Sequence, residues 1–158
     1  MELINIRHSI IEPALSLLPA RMNSPHALAM LLGIGLQESH FEYRRQLGNG
    51  PARGLWQMER GGGVHGVLRH EASAKLAAGI CAQRGVEPTD QAVWAALERD
   101  DILAAALARL LLWTDPQPLP ALGDTAGSWA LYARVWRPGR PRPAEWPANY
   151  LRAVGAAA

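Results

Sequence analysis

Glu38-Ser39-His40-Phe41 closes an almost unbroken apolar run from Leu28 to Leu36, and Gly54-Leu55-Trp56-Gln57 follows, placing Gln57 nineteen residues after Glu38. A carboxyl group at the end of a hydrophobic helix is costly to ionise. It sits near the negative end of the backbone dipole and at the edge of an apolar core, and both disfavour the carboxylate. A Glu that keeps its proton near neutral pH can donate it to a leaving glycosidic oxygen. The Gly-rich turn, carrying an amide and an indole, suits a cleft for polar, ring-shaped ligands. On spacing alone, a solvated helix-end Glu is the competing reading.

The elements that must position these groups are helical. Ser24-Pro25 reads as an N-cap and first-turn pair. The helix it opens is apolar on nearly every face and so belongs at the centre of the domain. Ile10–Leu18 predicts a short helix packed on the core, with Pro13 tolerated near its first turn. From Glu42 to Val67 the glycines dissolve the periodicity into a loop region, an irregular lobe with room for a small β-hairpin. Helices are expected again near Glu71–Arg84, Thr89–Arg99, Asp101–Trp113, Thr125–Val135 and Ala144–Val154, with Pro-rich connectors between the later ones. Gly155 to Ala158 is expected to fray.

At 158 residues the chain reads as one mainly α domain spanning 1–158. The formal charge of +2 is small, so the chain carries no large positive field, yet it could still approach an anionic polymer such as a cell wall or nucleic acid. The interleaved Asp and Glu argue against a nucleic-acid binder. The lone Cys81 excludes an internal disulfide and reads as a buried small hydrophobe. Leu28 to Leu36 is far shorter than the roughly 20 residues that span a bilayer, so no stable membrane insertion is expected. No signal peptide is evident, which predicts synthesis in the cytoplasm.

Glu38-Ser39, Gly54-Leu55-Trp56-Gln57, Leu131-Tyr132-Ala133-Arg134 and Asn149-Tyr150-Leu151 together resemble, in order and spacing, the motifs of the soluble lytic transglycosylases and goose-type lysozymes. Trp56 replaces a Met of the second motif, and the Asn expected after Tyr132 is missing. The resemblance covers about residues 27–154 and extends to small lysozyme-like proteins of bacteriophages. It implies a lysozyme-like fold and cleavage of the β-1,4 bond between N-acetylmuramic acid and N-acetylglucosamine in peptidoglycan. Glu38 would be general acid and then base. Ser39 would hydrogen-bond Glu38 or substrate, or cap the helix end. Gln57 would bind a sugar substituent or tie down its loop. Tyr132 would point its hydroxyl at Glu38, and Tyr150 would be a second polar contact or packing. Glu59 stands where the goose-type enzymes place a second acid, or is a solvated charge beside Arg60, so either a 1,6-anhydro product without water or hydrolysis remains open.

Trp56, in the loop, is the expected sugar-stacking indole, whereas Trp94, Trp113 and Trp129 lie at core spacing. His65 and His70, with Glu71 beside them, have no further ligand at recognisable spacing, so neither a metal nor any cofactor is expected. Gly61-Gly62-Gly63 reads as a flap on the cleft rather than a phosphate loop. Arg134, Arg137, Arg140 and Arg142 form a basic run, either a solvated connector or an attraction for anionic wall polymers. The partners implied are peptidoglycan strands and other phage virion proteins. The protein would act on the bacterial wall, released by a holin or carried in the particle. A non-catalytic wall-binding or virion scaffold on the same fold is the alternative.

Overall fold

A computed structural model describes residues 1–158, which are mainly helical and contain no strand. The helices are α1 (Leu3–Ile6), α2 (Glu12–Ser16), α3 (Pro25–Ser39), α4 (His65–Arg69), α5 (Ala74–Arg84), α6 (Asp90–Ala96), α7 (Asp101–Trp113), α8 (Thr125–Trp136) and α9 (Trp146–Ala157). A π-helical turn, Arg7–Ile11, joins α1 to α2. The first helical stretch therefore begins earlier than its apolar pattern predicts. The wider turn lies just ahead of Pro13, the residue that has no amide proton to give an α-helical ladder.

α3 is central, as expected. Ser24 Oγ accepts the Ala27 amide at 3.1 Å and Pro25 occupies the first turn. From Ala27 to Ser39 every residue is buried except Glu38. α9 lies along α3 with Trp146, Tyr150 and Ala153 over Gly33, where a Cβ would sit in ordinary contact, 3.4 Å from the Tyr150 ring. The helix ends abruptly because His40 and Phe41 both turn left-handed, at φ 51° and 56°. That conformation costs a side-chain-bearing residue about 1–2 kcal/mol. It is held by the His40 amide donating to Leu36 O and the Phe41 amide donating to Ser39 Oγ, both at 3.1 Å.

The lobe after α3 carries two isolated antiparallel bridges, Arg45 to Arg53 and Arg53 to Met58, and no hairpin strands. Arg53 and Met58 exchange both backbone bonds at 3.0 Å and close the Gly54–Gln57 turn between them. Gly54, at φ 78°, also faces the Leu97 carbonyl, so neither its backbone nor its surroundings admit a side chain easily. Arg60–Val64 forms a π turn that runs into α4 where a loop was expected; Val64 and Val67, fully buried, pull it onto the core despite the glycines.

α7 and α8 begin at capping aspartates, Asp100 accepting from Leu103 N and Asp124 from Gly127 N, each at 2.9 Å. α5 starts later than predicted, after Ser73 Oγ bonds Val67 O at 2.7 Å. The C-terminus does not fray: α9 runs to Ala157, and Arg7 Nη1 donates to Ala156 O and Ala158 O at 3.0 and 2.8 Å. Cys81 is buried, and no helix is long and apolar enough to cross a membrane.

Phe41 folds back under α3, and a Cβ on Gly35 would collide with its ring. Gly35→Ala is therefore expected to destabilise by about 1–3 kcal/mol, the range for overpacking a filled core. Urea unfolding measures this, and Phe41→Leu introduced with it should recover part of the loss.

Candidate active site

Glu38 opens onto a cleft of about 1320 Å³ that Gln57, Glu59 and Tyr132 also line. Three separate segments of the chain thus bring these four residues to one cleft. The Tyr132 hydroxyl donates to Glu38 Oε1 at 2.6 Å. Its ring is locked by a stack that crosses from α8 to α9: Tyr132 on Trp146 at 5.1 Å and 8° between planes, and Trp146 on Tyr150 at 5.7 Å and 10°. Trp146 is itself pinned by its indole N–H on Ser128 Oγ at 2.9 Å.

The last carbonyls of α3 have no partner within the helix. Tyr43 donates its hydroxyl to Glu38 O at 2.8 Å, and Arg142 donates to Gln37 O. Gln37, buried one residue before the acid, returns a bond to Arg142 O at 2.9 Å and accepts from Asn149 Nδ2 at 3.0 Å. The chain end of α3 is thus clamped on three sides.

Burial raises the Glu38 pKa from 4.5 to about 7, while the Tyr132 hydrogen bond and the Arg142 charge pull the other way. Burial, together with the neighbouring Glu38, holds the Tyr132 phenol well above its ordinary value, so it stays a donor. The result is a carboxyl near half-protonation at neutral pH, partly open to a large cleft. That is the condition for general acid and general base work by one group.

Gln57 is mostly buried with φ 49°, and its amide donates to Gly54 O at 3.0 Å. It ties down its own turn, and its side-chain oxygen has no protein donor. Glu59 is exposed in the cleft without an ion-pair partner.

Three of the expected contacts are made elsewhere. Ser39 is fully buried, its hydroxyl donating to Leu55 O at 2.6 Å; it joins the end of α3 to the Gly54–Gln57 turn and reaches neither Glu38 nor the cleft. Trp56 is 1% exposed, edge-on to Phe41, with its indole N–H on Leu31 O at 2.8 Å, so it is a core residue and offers no face to a sugar. Tyr150 is buried at the end of the aromatic stack, and its hydroxyl lies 3.5 Å from Ala121 O. It packs and does not contact the cleft.

The indole that does line the cleft is Trp136, half-buried, tilted over Tyr132 and fixed by its N–H on Trp56 O at 3.0 Å. Sequence reasoning missed it, along with Tyr43 and the Gln37–Arg142–Asn149 clamp. A Trp just ahead of a Pro-Gly-Arg connector was the available signal for Trp136; the clamp, made between segments over a hundred residues apart, left none. Gly61, Gly62 and Gly63 line the cleft within the π turn. His65 pairs with Asp90 at 2.8 Å, and no group of three metal-ligating side chains is present.

Comparison with protein families, with curated proteins and with solved structures finds no match to this chain.

Two outcomes follow from the buried carboxyl. Tyr132→Phe keeps the stacked ring and removes the bond that favours the carboxylate, so the Glu38 pKa should rise further above 7; a carbon-detected NMR titration of the Glu38 carboxyl measures it. Because the folded pKa lies above 4.5, stability is full below pH 4.5 and is lost as pH rises through about 7. Glu38→Gln should therefore match wild type near pH 4 and exceed it by about 2–3 kcal/mol near pH 8. Urea midpoints at both pH values are the readout.

Proposed function

We propose that this chain is a lysozyme-like muramidase that cuts peptidoglycan strands at the β-1,4 bond between N-acetylmuramic acid and N-acetylglucosamine, in the manner of a lytic transglycosylase. The observation that carries the reading is the Glu38 carboxyl, pushed up to about 7 and bonded by Tyr132 in a cleft of about 1320 Å³. The motif resemblance supplies the substrate class. The cleft, the aromatic wall at Trp136 and the absence of ionic pairing at Glu38 are what a polar ring substrate would meet at the acid.

In the proposed reaction protonated Glu38 gives its proton to the glucosamine O4 as the bond to muramoyl C1 breaks. Glu38, now a carboxylate, takes the proton from the muramoyl 6-hydroxyl, whose oxygen closes on C1. The product is a 1,6-anhydro sugar, no water is consumed, and Glu38 ends protonated again. Tyr132 holds Oε1 in place in both states by its hydrogen bond. Tyr43 and Arg142 fix the backbone on either side of the acid.

A second reading has one observation in its favour: Glu59 stands unpaired and exposed in the same cleft. With a water between it and the scissile bond, it would act as general base in an inverting hydrolysis. The setting that the resemblance suggests for either chemistry is a bacteriophage, with the protein reaching the wall through a holin lesion or inside the particle.

Mass spectrometry of products from purified peptidoglycan tests both. Anhydromuropeptides are expected from wild type, with rates about a hundred- to ten-thousand-fold lower in Glu38→Gln and little change in Glu59→Gln. Reducing-end products lost in Glu59→Gln would replace the first reading by the second. Wild-type rates in Glu38→Gln, or binding to the polymer with no product from any variant, would reject the enzyme in favour of a scaffold.

A further inference from the structure

Trp136 to Pro143 runs along the rim of the cleft as a strap punctuated by Pro138, Pro141 and Pro143. It is fastened at both ends. Trp136 is bonded to Trp56 O, and Arg142 is bonded to Gln37 through donor and carbonyl alike. With fixed ends and proline-restricted backbone between them, the strap presents its side chains from a defined wall.

Arginines of this wall fall into two kinds. Arg134 is held by both Asp115 oxygens at 2.8 and 2.9 Å, and Arg142 by Gln37 O and by Glu145 at 3.3 Å. Arg137 and Arg140 are exposed, line the cleft, and have neither an ion-pair nor a hydrogen-bond partner on their side chains. Elsewhere arginines beside carboxylates pair with them, as Arg44 does with Asp101 and Arg84 with Asp100. Of the acids lining the cleft, Asp115 is used by Arg134, Glu38 by Tyr132, and Glu59 approaches no guanidinium.

Arg137 adds a second observation. It ends α8 in the left-handed region at φ 50°, its amide closing on Ala133 O at 3.0 Å. Glycine is the low-cost residue for such a helix end. An arginine held there at some strain, with its side chain on the cleft and free, fits a residue kept for what its guanidinium meets.

We propose that Arg137 and Arg140 bind an anionic substituent, a carboxylate or a phosphodiester, carried by the strand whose glycosidic bond lies at Glu38, and so select charged strands over neutral ones. The proposal rests on the glycan-cleaving reading of the cleft. Guanidinium groups suit both anions because their planar fork gives two parallel donors. Two unneutralised cations in a walled cleft also raise the local concentration of an anionic polymer.

The test compares wild type, the Arg137→Ala/Arg140→Ala double variant and Arg99→Ala, an exposed arginine off the cleft that serves as a charge control. Each is given three preparations of strands: phosphate-free strands with free stem-peptide carboxylates, the same strands with those carboxylates amidated, and amidated strands that retain phosphodiester polymer. Wild type should favour at least one charged preparation over the phosphate-free amidated one by on the order of tenfold in kcat/KM, weakening as salt rises. The double variant should approach parity through KM with kcat retained, and Arg99→Ala should keep the preference. Which preparation carries the preference identifies the anion. A preference that survives in the double variant, one that Arg99→Ala erodes equally, or none in wild type overturns the proposal. If nothing is cleaved, the glycan-cleaving reading falls. Sedimentation of the same strands with each protein then decides anion binding alone, by the same comparison.

Discussion

The desolvation of one carboxyl organises this molecule. α3 has no polar face, and Glu38 is its only residue beyond the first turn that is not buried. A charge there loses water on the core side and faces the negative end of its own helix. The protein leaves the carboxyl without a direct ion pair, and the phenol that donates to it and an arginine at a remove offset only part of the desolvation. Direct ion pairing would pull the pKa down and remove the proton a general acid has to give.

That solution makes precise placement of Tyr132 necessary, and the aromatic stack supplies it. Tyr132, Trp146 and Tyr150 run through the interface of α8, α9 and α3 with nearly parallel planes. Trp146 and Tyr150 pack over Gly33, so the stack rests on α3 itself. The donor and the acceptor of the 2.6 Å bond thus stand on elements packed against one another through large, poorly deformable rings. The same economy holds at the other side of the acid. The left-handed exit at His40 and Phe41, the Ser39 hydroxyl on Leu55 O, and the Arg53–Met58 pairing form a continuous path from the end of α3 into the turn that brings Gln57 to the cleft.

Sequence carried the helical architecture where local chemistry decides it. Ser24-Pro25, Asp100 and Asp124 marked helix starts through caps, and the apolar run of α3 marked the centre. Glu38, Gln57, Glu59 and Tyr132 share one cleft because motif spacing encodes a chain path. What spacing does not encode is which of two adjacent turn residues faces inward. Gln57 takes a positive φ, and with that rotation the neighbouring Trp56 goes to the core, where Leu31 O awaits its N–H. Tyr150 was similarly ambiguous, since a Tyr on a helix face serves packing and polar contact equally well until the partner helix is known. The bonds of Arg7 to the C-terminus and of Gln37 to Asn149 join distant segments, and no local pattern announces them.

Ser39 changes the meaning of the Glu-Ser pair. Adjacent to the acid, its hydroxyl reads as chemistry, yet it is buried away from the cleft and does structural work there. It accepts the Phe41 amide and donates to Leu55, so one oxygen both ends the helix and seats the following turn. A residue beside an acid can thus set where the carboxyl stands without contacting it, because the acid's position is set by where its helix stops. Ser39, Gln37 and Arg142 all bond at that helix end. They fix the end of α3, and through it the point at which a single carboxyl emerges from the core into the cleft.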